Sequence, residues 1–417
     1  MAGLSTFAPD FSLHINDSEI PAALRSCVTH LRYEDGIPSM LTEPDRDGSK
    51  AADRVEIEFA NPNLRWLQGH IRGLGFRPFP TGIKLGPVRL PDAQVGHAFD
   101  LDNTVSLKVG YAPGQREHLF HGEVTGVQAD FPSSGVPTMT LVAHDYLQRL
   151  SRGTVSRGFS ILPDFVIAAI MSVENLLVPM IDPVVLAQST ATGVLNAIFK
   201  FSGRKQRGQS DLDLLKEIAA TYDADFWVGD PPFDADGLRG RTLYLSRILF
   251  KEYEPRLTLT WGESLVAFSP RVSTVGTVAG VAIRFTLPLI PISFVLVVAW
   301  DFDRESLSIS TFPGAGAVRI GNFGGGVMTI IERTVNNPAD IMNSALLITR
   351  MLRQKINNRL TGAGSAIGDP RIRAGAVVRL DGIGPSFSGA YRVTSAVHTI
   401  DGGGYRTDFK VRRELLP

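Results

Sequence analysis

The sequence predicts an α+β fold, mainly β, with two similar β-domains at the chain ends and a mixed helical and β segment inserted between them. Three observations carry this. Glycine (41) and proline (26) supply about one in six of the 417 residues, the composition of a chain with many tight turns. Several segments alternate apolar and polar residues with the period of two that half-buried strands require. Finally, Val105-Ser-Leu-Lys-Val-Gly110, Phe120-His-Gly122 and Gly135-Val-Pro-Thr138 are echoed near the C-terminus. There Val377-Val-Arg-Leu380, Phe387-Ser-Gly389 and Gly404-Tyr-Arg-Thr407 follow one another at a similar gap. Gly-bounded hairpins converging by composition are the alternative source of such an echo.

In chain order, Cys27, Thr29, Leu31 and Tyr33 alternate against Val28, His30 and Arg32. Val55, Ile57 and Phe59 alternate against Arg54, Glu56 and Glu58. Strands are predicted at Val105–Tyr111, His118–Gln128 and Pro137–Ala143, with a short helical exit over His144–Leu150. Residues 61–100 read as a long loop. The second segment begins after Arg152: Pro163 precedes a helix, and Ser210 with Asp213 forms a carboxylate capping box for another. Leu212, Leu215, Ala219 and Tyr222 give that helix its apolar stripe. Gly203-Arg-Lys-Gln-Arg-Gly208 reads as a basic loop, and Asp225–Val228 and Thr242–Ser246 as short strands. Strands return at Leu257–Trp261, Gly276–Phe285, Ile292–Trp300 and Val318–Ile320. A long helix (337–360) is capped by Asn337 and Pro338, striped by Ile341, Ala345, Ile348, Leu352 and Ile356, and stopped by Thr361-Gly-Ala-Gly364. Ala376–Leu380, Tyr391–Thr399 and Thr407–Arg412 close the chain. The domains expected are 1–152, 153–256 and 257–417.

Composition removes several classes of function. Lys+Arg (42) balances Asp+Glu (42), so the surface is not tuned for nucleic acid or anionic lipid. Cys27 stands alone and makes neither an internal disulfide nor a thiolate zinc site. Met1–Asp10 lacks the pattern of a secretory signal. The longest apolar run, Phe285–Trp300, is broken by Pro288 and Pro291, so direct membrane insertion is not expected.

Catalytic, cofactor-binding and metal-binding residues are each predicted to be none. His118 and His121, three apart in a strand, point to opposite faces and so do not converge on an ion. Gly362-Ala-Gly364 with Gly368 follows a helix instead of joining strand to helix, and Gly324-Gly-Gly326 lacks the lysine of a phosphate loop. Asp211/Asp213, Asp301/Asp303 and Asp100/Asp102 read as solvated pairs. Arg204, Lys205 and Arg207, and Arg350, Arg353, Lys355 and Arg359, read as solvated faces or protein-docking clusters. Trp261 and Trp300 sit in core-like contexts; Trp66 and Trp227 complete the tryptophans.

Four blocks in order resemble the phage late control protein D / VgrG family. They are His121-Gly-Glu-Val-Thr-Gly-Val127 through Arg149-Leu150, Ser210–Ala219 with Leu243-Tyr-Leu245, Trp261–Pro270, and Pro370 through Gly389-Ala-Tyr-Arg-Val393, His398 and Thr407. Residues 61–100 and 171–188 carry no resemblance. The resemblance implies two similar β-barrel domains per chain in a homotrimeric ring. Such a baseplate hub joins a hexameric tail tube to a trimeric spike, in a contractile phage tail, a type VI machine or another contractile injection system. The chain ends before the family's fused spike, which implies a separate spike protein beside the tube and wedge partners. The implied location is the baseplate of the particle, assembled in the bacterial cytoplasm. Glu56, Glu58 and Arg379 are candidates for the lumen face. Two rival readings are a tail-associated peptidoglycan-degrading enzyme and a carbohydrate-binding β protein.

Overall fold

The computed structural model describes residues 8–37, 52–62, 64, 98–159, 162–198, 203–232, 238–246, 254–273, 280–287, 290–301, 306–313, 328–334, 348, 351–353, 356–357 and 359–414. The first segment runs β1 (Ala8–Ile15), β2 (Ser18–Glu19), α1 (Ala22–Arg25), β3 (Val28–Gly36), β4 (Arg54–Ala60), β5 (Thr104–Ala112), β6 (Arg116–Asp130) and β7 (Thr138–Asp145). Alternation placed β3 and β4 correctly, because Leu31, Tyr33, Val55, Ile57 and Phe59 all point into one core and are fully buried. Strands β5–β7 fall where strands were expected, whereas β1 and β2 were not foreseen. The helical exit is a 3-10 turn over Tyr146–Ser151, capped by the Asp145 carboxylate, which accepts from Leu147 N at 3.1 Å. Trp66 and nearly all of the expected loop over 61–100 lie outside the described residues.

The middle segment comprises β8 (Val155–Gly158), α2 (Asp164–Glu174), β9 (Val178–Ile181), α3 (Pro183–Ile198), β10 (Lys205–Gln209), α4 (Asp211–Tyr222), β11 (Asp225–Gly229) and β12 (Thr242–Ser246). The α4 capping box forms as expected: Ser210 Oγ accepts from Asp213 N at 3.1 Å while the Asp213 carboxylate reaches back to Ser210 N. Its stripe of Leu212, Leu215, Ala219 and Tyr222 is buried among α2, β11 and β12. The basic loop is instead strand β10, antiparallel to β8.

The last segment holds β13 (Leu257–Thr260), β14 (Leu265–Val272), β15 (Gly280–Leu287), β16 (Ile290–Asp301), β17 (Ser306–Pro313), β18 (Met328–Thr334), β19 (Leu360–Ile367), β20 (Val377–Asp381), β21 (Gly389–Asp401) and β22 (Gly404–Arg412). Strands β15–β18 form their own four-stranded sheet. Of the long helix, residues 348, 351–353 and 356–357 are helical, and the stripe residues Ile348, Leu352 and Ile356 are fully buried. Asn337, Ile341, Ala345 and the strand expected at Val318–Ile320 lie outside the described residues. The helical residues end before Thr361–Gly364, but these residues are more than a helix stop: they are strand β19. Glycine is required there because the Phe268 ring lies 2.5 Å from where a Gly362 Cβ would stand, and Phe409 2.7 Å from that of Gly364.

One 13-stranded sheet runs β14-β19-β22-β21-β3-β4-β7-β6-β5-β1-β2, with β13 and β20 alongside β21. Its two halves repeat one wiring. In the first, β3 pairs β4, β4 pairs β7, and β6 pairs both β5 and β7. In the second, β14 pairs β19, β19 pairs β22, and β21 pairs both β20 and β22, every pair antiparallel in both halves. Two of the irregularities coincide as well. A bulge at Thr125 in β6 matches one at Thr394 in β21, and each hydroxyl donates to the facing backbone carbonyl (Val142 O at 3.3 Å, Lys410 O at 3.2 Å). A bulge at Thr29 in β3 matches one at Val266 in β14. Asp102 and Gly375, at corresponding turns, are both left-handed (φ 65° and 85°) and donate to Val124 O and Val393 O. The pairing therefore aligns Phe120 with Gly389, two residues out of step with the Phe-x-Gly echo. The sequence echo found the right strands through the wrong residues. The halves differ in the outer strand, since β1 joins β5 antiparallel whereas β13 joins β20 parallel.

Candidate functional site

The structurally informative site is the seam where the two halves and the middle segment meet. Ser395–Ile400 of β21 lies antiparallel to Gly36–Leu31 of β3, making the halves one continuous sheet. Beside this ladder the Asp35 carboxylate accepts from Ala374 N at 2.9 Å and Ala396 N at 3.0 Å, so one side chain of the first half holds both the turn before β20 and strand β21 of the second. Arg373 donates to the Tyr33 hydroxyl at 3.1 Å, and that hydroxyl donates to Asp53 Oδ2 at 2.7 Å. A cavity of about 20 Å³, room for one water molecule, is lined by Tyr33, Asp53, His118, His121, Asp145 and Arg373 among others. Arg373 keeps 36% of its side chain in solvent at the rim, while Asp35 keeps 4%.

Burial dominates the electrostatics here. Desolvation, reinforced by the neighbouring Asp53 charge, pushes the Asp35 carboxyl up to about 7 against the pull of Arg373 and the two amide bonds. Asp53 is pushed up to about 6 by burial, opposed by Arg373 and the Tyr33 hydrogen bond. Asp145 is raised by burial and then by Asp53. His398 is held down to about 3 by burial and by Arg373. Its Nε2 lies 3.0 Å from Ile372 O, which only accepts, so Nε2 carries the proton and Nδ1 accepts from the Tyr405 or Thr407 hydroxyl.

A second set of buried charges ties the middle segment to the last. Arg392, 1% exposed, donates to Asp225 at 2.8 Å, and Glu414 lies 3.6 Å from Arg392 and 2.7 Å from Arg412. Arg353 donates to Asp223 at 3.0 Å, and Asn357 donates to Glu414. A third set ties the middle segment to the first. His118 Nδ1 lies 2.8 Å from Asp230 Oδ2, Gly240 N donates to Asp230 Oδ1 at 2.8 Å, and Arg149 bridges Glu123 and the Asn175 carbonyl.

Several expectations are corrected. His118 and His121 do not face opposite ways: a bulge at Leu119 resets the alternation and brings their rings to 6.1 Å, where His118 bonds Asp230 and His121 packs on Tyr146. Among the described residues no group of three or more His, Cys, Asp or Glu has metal-binding geometry. Cys27 precedes β3 rather than lying within it, its thiol donating to Ala23 O at 3.3 Å. Asp211 is not a solvated carboxylate. It accepts from Arg157 and Gln206 at 2.9 Å and from Asn175 at 3.1 Å. Asp100 is likewise buried, 4% exposed. Arg204 is spent on Asp164 at 2.8 and 2.6 Å, and Arg353 is buried, so neither belongs to a free docking cluster; Lys205 and Arg207 are exposed. Arg359 is half-buried, and Arg350, Lys355 and Asp303 lie outside the described residues. Trp261 is 61% exposed, not core, whereas Trp227 stacks on Tyr244 at 5.1 Å. Glu56 pairs with Arg54, Glu58 accepts from Thr29, and Arg379 pairs with Asp381, all on the half-solvated face of the sheet.

Sequence reading missed Asp35, Asp53, Arg373, Arg392, Asp225 and Glu414. One signal existed: Asp35 continues the inward phase of Leu31 and Tyr33, and a carboxylate in an apolar phase needs a buried partner. What these groups do is clamp segments together through bonds to amides and to each other.

No protein-family model and no curated protein sequence matches the chain. Solved structures do. A 43 kDa tail protein of prophage MuSo2 from Shewanella oneidensis matches with a TM-score of 0.57 at 11% identity, over 97% of this chain and 98% of that one. A tail protein from Neisseria meningitidis MC58 gives 0.54 at 10%, over 97% and 96%. An E. coli component of the type VI secretion system, itself similar in structure to the T4 bacteriophage tail proteins gp27 and gp5, gives 0.53 at 10%, over 97% and 80%. At such identities the likeness establishes a shared fold, and over nearly its whole length this chain is folded as those tail proteins are.

Proposed function

We propose that the protein is a structural, non-enzymatic baseplate hub of a contractile phage tail or contractile injection system. In this reading three copies close into a ring that joins a hexameric tail tube to a trimeric spike carried on a separate chain, with wedge proteins around it. The observation that carries it is the repeated strand wiring: one chain supplies two equivalent ladders, so three chains supply six units to meet a sixfold tube. The two ladders, one within residues 1–152 and the other within 257–417, are the two equivalent β-domains of this reading, and the 153–256 domain braces them. The half-solvated face bearing Arg32–Glu34, Arg54–Glu56, Arg379–Asp381 and Arg406–Asp408 lines the lumen. Its charges are paired along each strand and present little net field to a passing cargo. The shared fold with phage tail proteins and a type VI component supports a place in a tail particle, which in this reading is assembled in the bacterial cytoplasm.

Light scattering on the purified protein tests the reading. A mass three times that of the 45.3 kDa chain is expected, and a monomer at every concentration, with or without the spike protein, contradicts it.

A further inference from the structure

The internal seam has a twin that one chain cannot complete. In the repeat, β3 corresponds to β14 and β6 to β21. The chain uses one edge from each half, β3 against residues 395–400 of β21. The corresponding edges are β14 in the second half and residues 126–131 of the first. Among the described residues β14 pairs β19, with Leu265 alone also bridged to Trp261, and that part of β6 pairs only β7. Both are exposed: in β14 Val266 and Val272 are 62% and 56% in solvent, and Phe131 is 59%. Residues 128–136 carry the β6–β7 hairpin out from the body. An open edge over Val266–Val272 with exposed apolar side chains pairs with whatever fits it unless it is covered.

We propose that β14 of one copy docks antiparallel on residues 126–131 of a second copy, rebuilding between chains the seam that β3 and β21 make within one. The inference rests on the hub reading for its ring closure, and on the repeat for its register. The pairings place Tyr33 against Pro270, Glu34 against Arg271 and Asp35 against Val272 in the alignment of the halves. They likewise place Val397 against Gln128 and His398 against Ala129. Transferring the internal register, Val272 faces Val127, Arg271 faces Gln128, Pro270 faces Ala129, Ser269 faces Asp130 and Phe268 faces Phe131. The fit is chemical as well as geometric. Val272 meets Val127, the two phenylalanines meet, and Arg271 sits diagonal to Asp130 on the same face. Pro270 offers no N–H, so this ladder is one bond shorter than the internal seam, and the same proline discourages pairing with foreign strands. Each chain then carries one complementary edge at either end. Such head-to-tail contact closes into a ring when the rotation per chain divides the circle.

Cysteine cross-linking tests the register. In the internal seam Ile37 N donates to Thr394 O, which makes Glu34–Val397, three steps along, a non-hydrogen-bonded pair, with Cα atoms about 4.5 Å apart and within disulfide reach. The double variant Gln128→Cys/Arg271→Cys, in a Cys27→Ser background, should give covalent multimers up to a closed trimer on a non-reducing gel after mild oxidation. Gln128→Cys/Val266→Cys, five residues out of register and so about 17 Å off, should give none. Both changed positions of the test pair are exposed and leave the cores untouched. A light-scattering trimer without covalent multimers overturns this joint and leaves the hub reading standing. A monomer without them overturns both.

Discussion

Asp35 is the residue on which the two halves meet, and its chemistry predicts a pH dependence. Its carboxyl is raised to about 7 by burial and by Asp53, whereas in the unfolded chain it titrates near 3.9. The folded state therefore binds the extra proton between those values. Stability that Asp35 contributes is fully present below about pH 4 and is lost as pH rises through about 7. The neutral buried His398 acts oppositely, but its window lies below the ordinary histidine value of about 6.5. Between pH 6.5 and 8 the carboxylates dominate, and thermal melts should show the melting temperature falling across that interval. Asp53→Asn removes the charge that raises Asp35 while leaving an acceptor for the Tyr33 hydroxyl, so its melts should show a shallower fall. A variant as steep as the wild type would mean that Asp53 does not act on Asp35. Arg392 makes a different prediction. With one partner gone it remains a buried charge, so Asp225→Ala should cost about 3–5 kcal/mol in denaturant unfolding. A cost under about 1 kcal/mol would show that water replaces the carboxylate. These residues were nearly invisible in the sequence, because a charge that pairs with a residue 167 positions away leaves no local pattern. The capping box of α4 was legible because both of its partners lie within one helical turn.

Elements were legible in proportion to how locally their reason is written. Strands β4, β5 and β7 announced themselves by alternation, since one face is core and the other half-wet. Strand β19 did not, because the cause of its glycines sits on β14 and β22. In the first half the corresponding core layer is Leu31, Ile57 and Leu141; in the second it is Phe268, Gly364 and Phe409. The Phe409 ring has taken the space above Gly364 that a branched side chain fills in the first half, while Phe268 fills the space above Gly362, a compensation across three strands that keeps the layer filled. Gly364→Ile should therefore destabilise by at least about 1–3 kcal/mol, and Gly364→Ile with Phe409→Leu should recover part of the loss in the same unfolding measurement. Additive losses in the double variant would refute the compensation. Bulges explain the other misreadings. At Leu119 one extra residue turned His121 to the side of His118, and a period-two argument has no means of anticipating an insertion that only the partner strand reveals.

For the whole molecule, the sequence conveyed that the chain is mainly β and that its ends resemble each other, while the wiring that proves the resemblance came from strand pairing. Two ladders with the same order and sense and two matching bulges, fused by one seam and each left with an unfilled edge, are the units from which the proposed ring would be built. In the proposed hub, copies of this chain close around an axis with two equivalent units apiece. Electron microscopy of the purified protein viewed down that axis is the most direct measurement. Closed particles of three chains with six similar lobes around a central opening are expected; open filaments, twofold dimers or rings without paired lobes would overturn the hub reading.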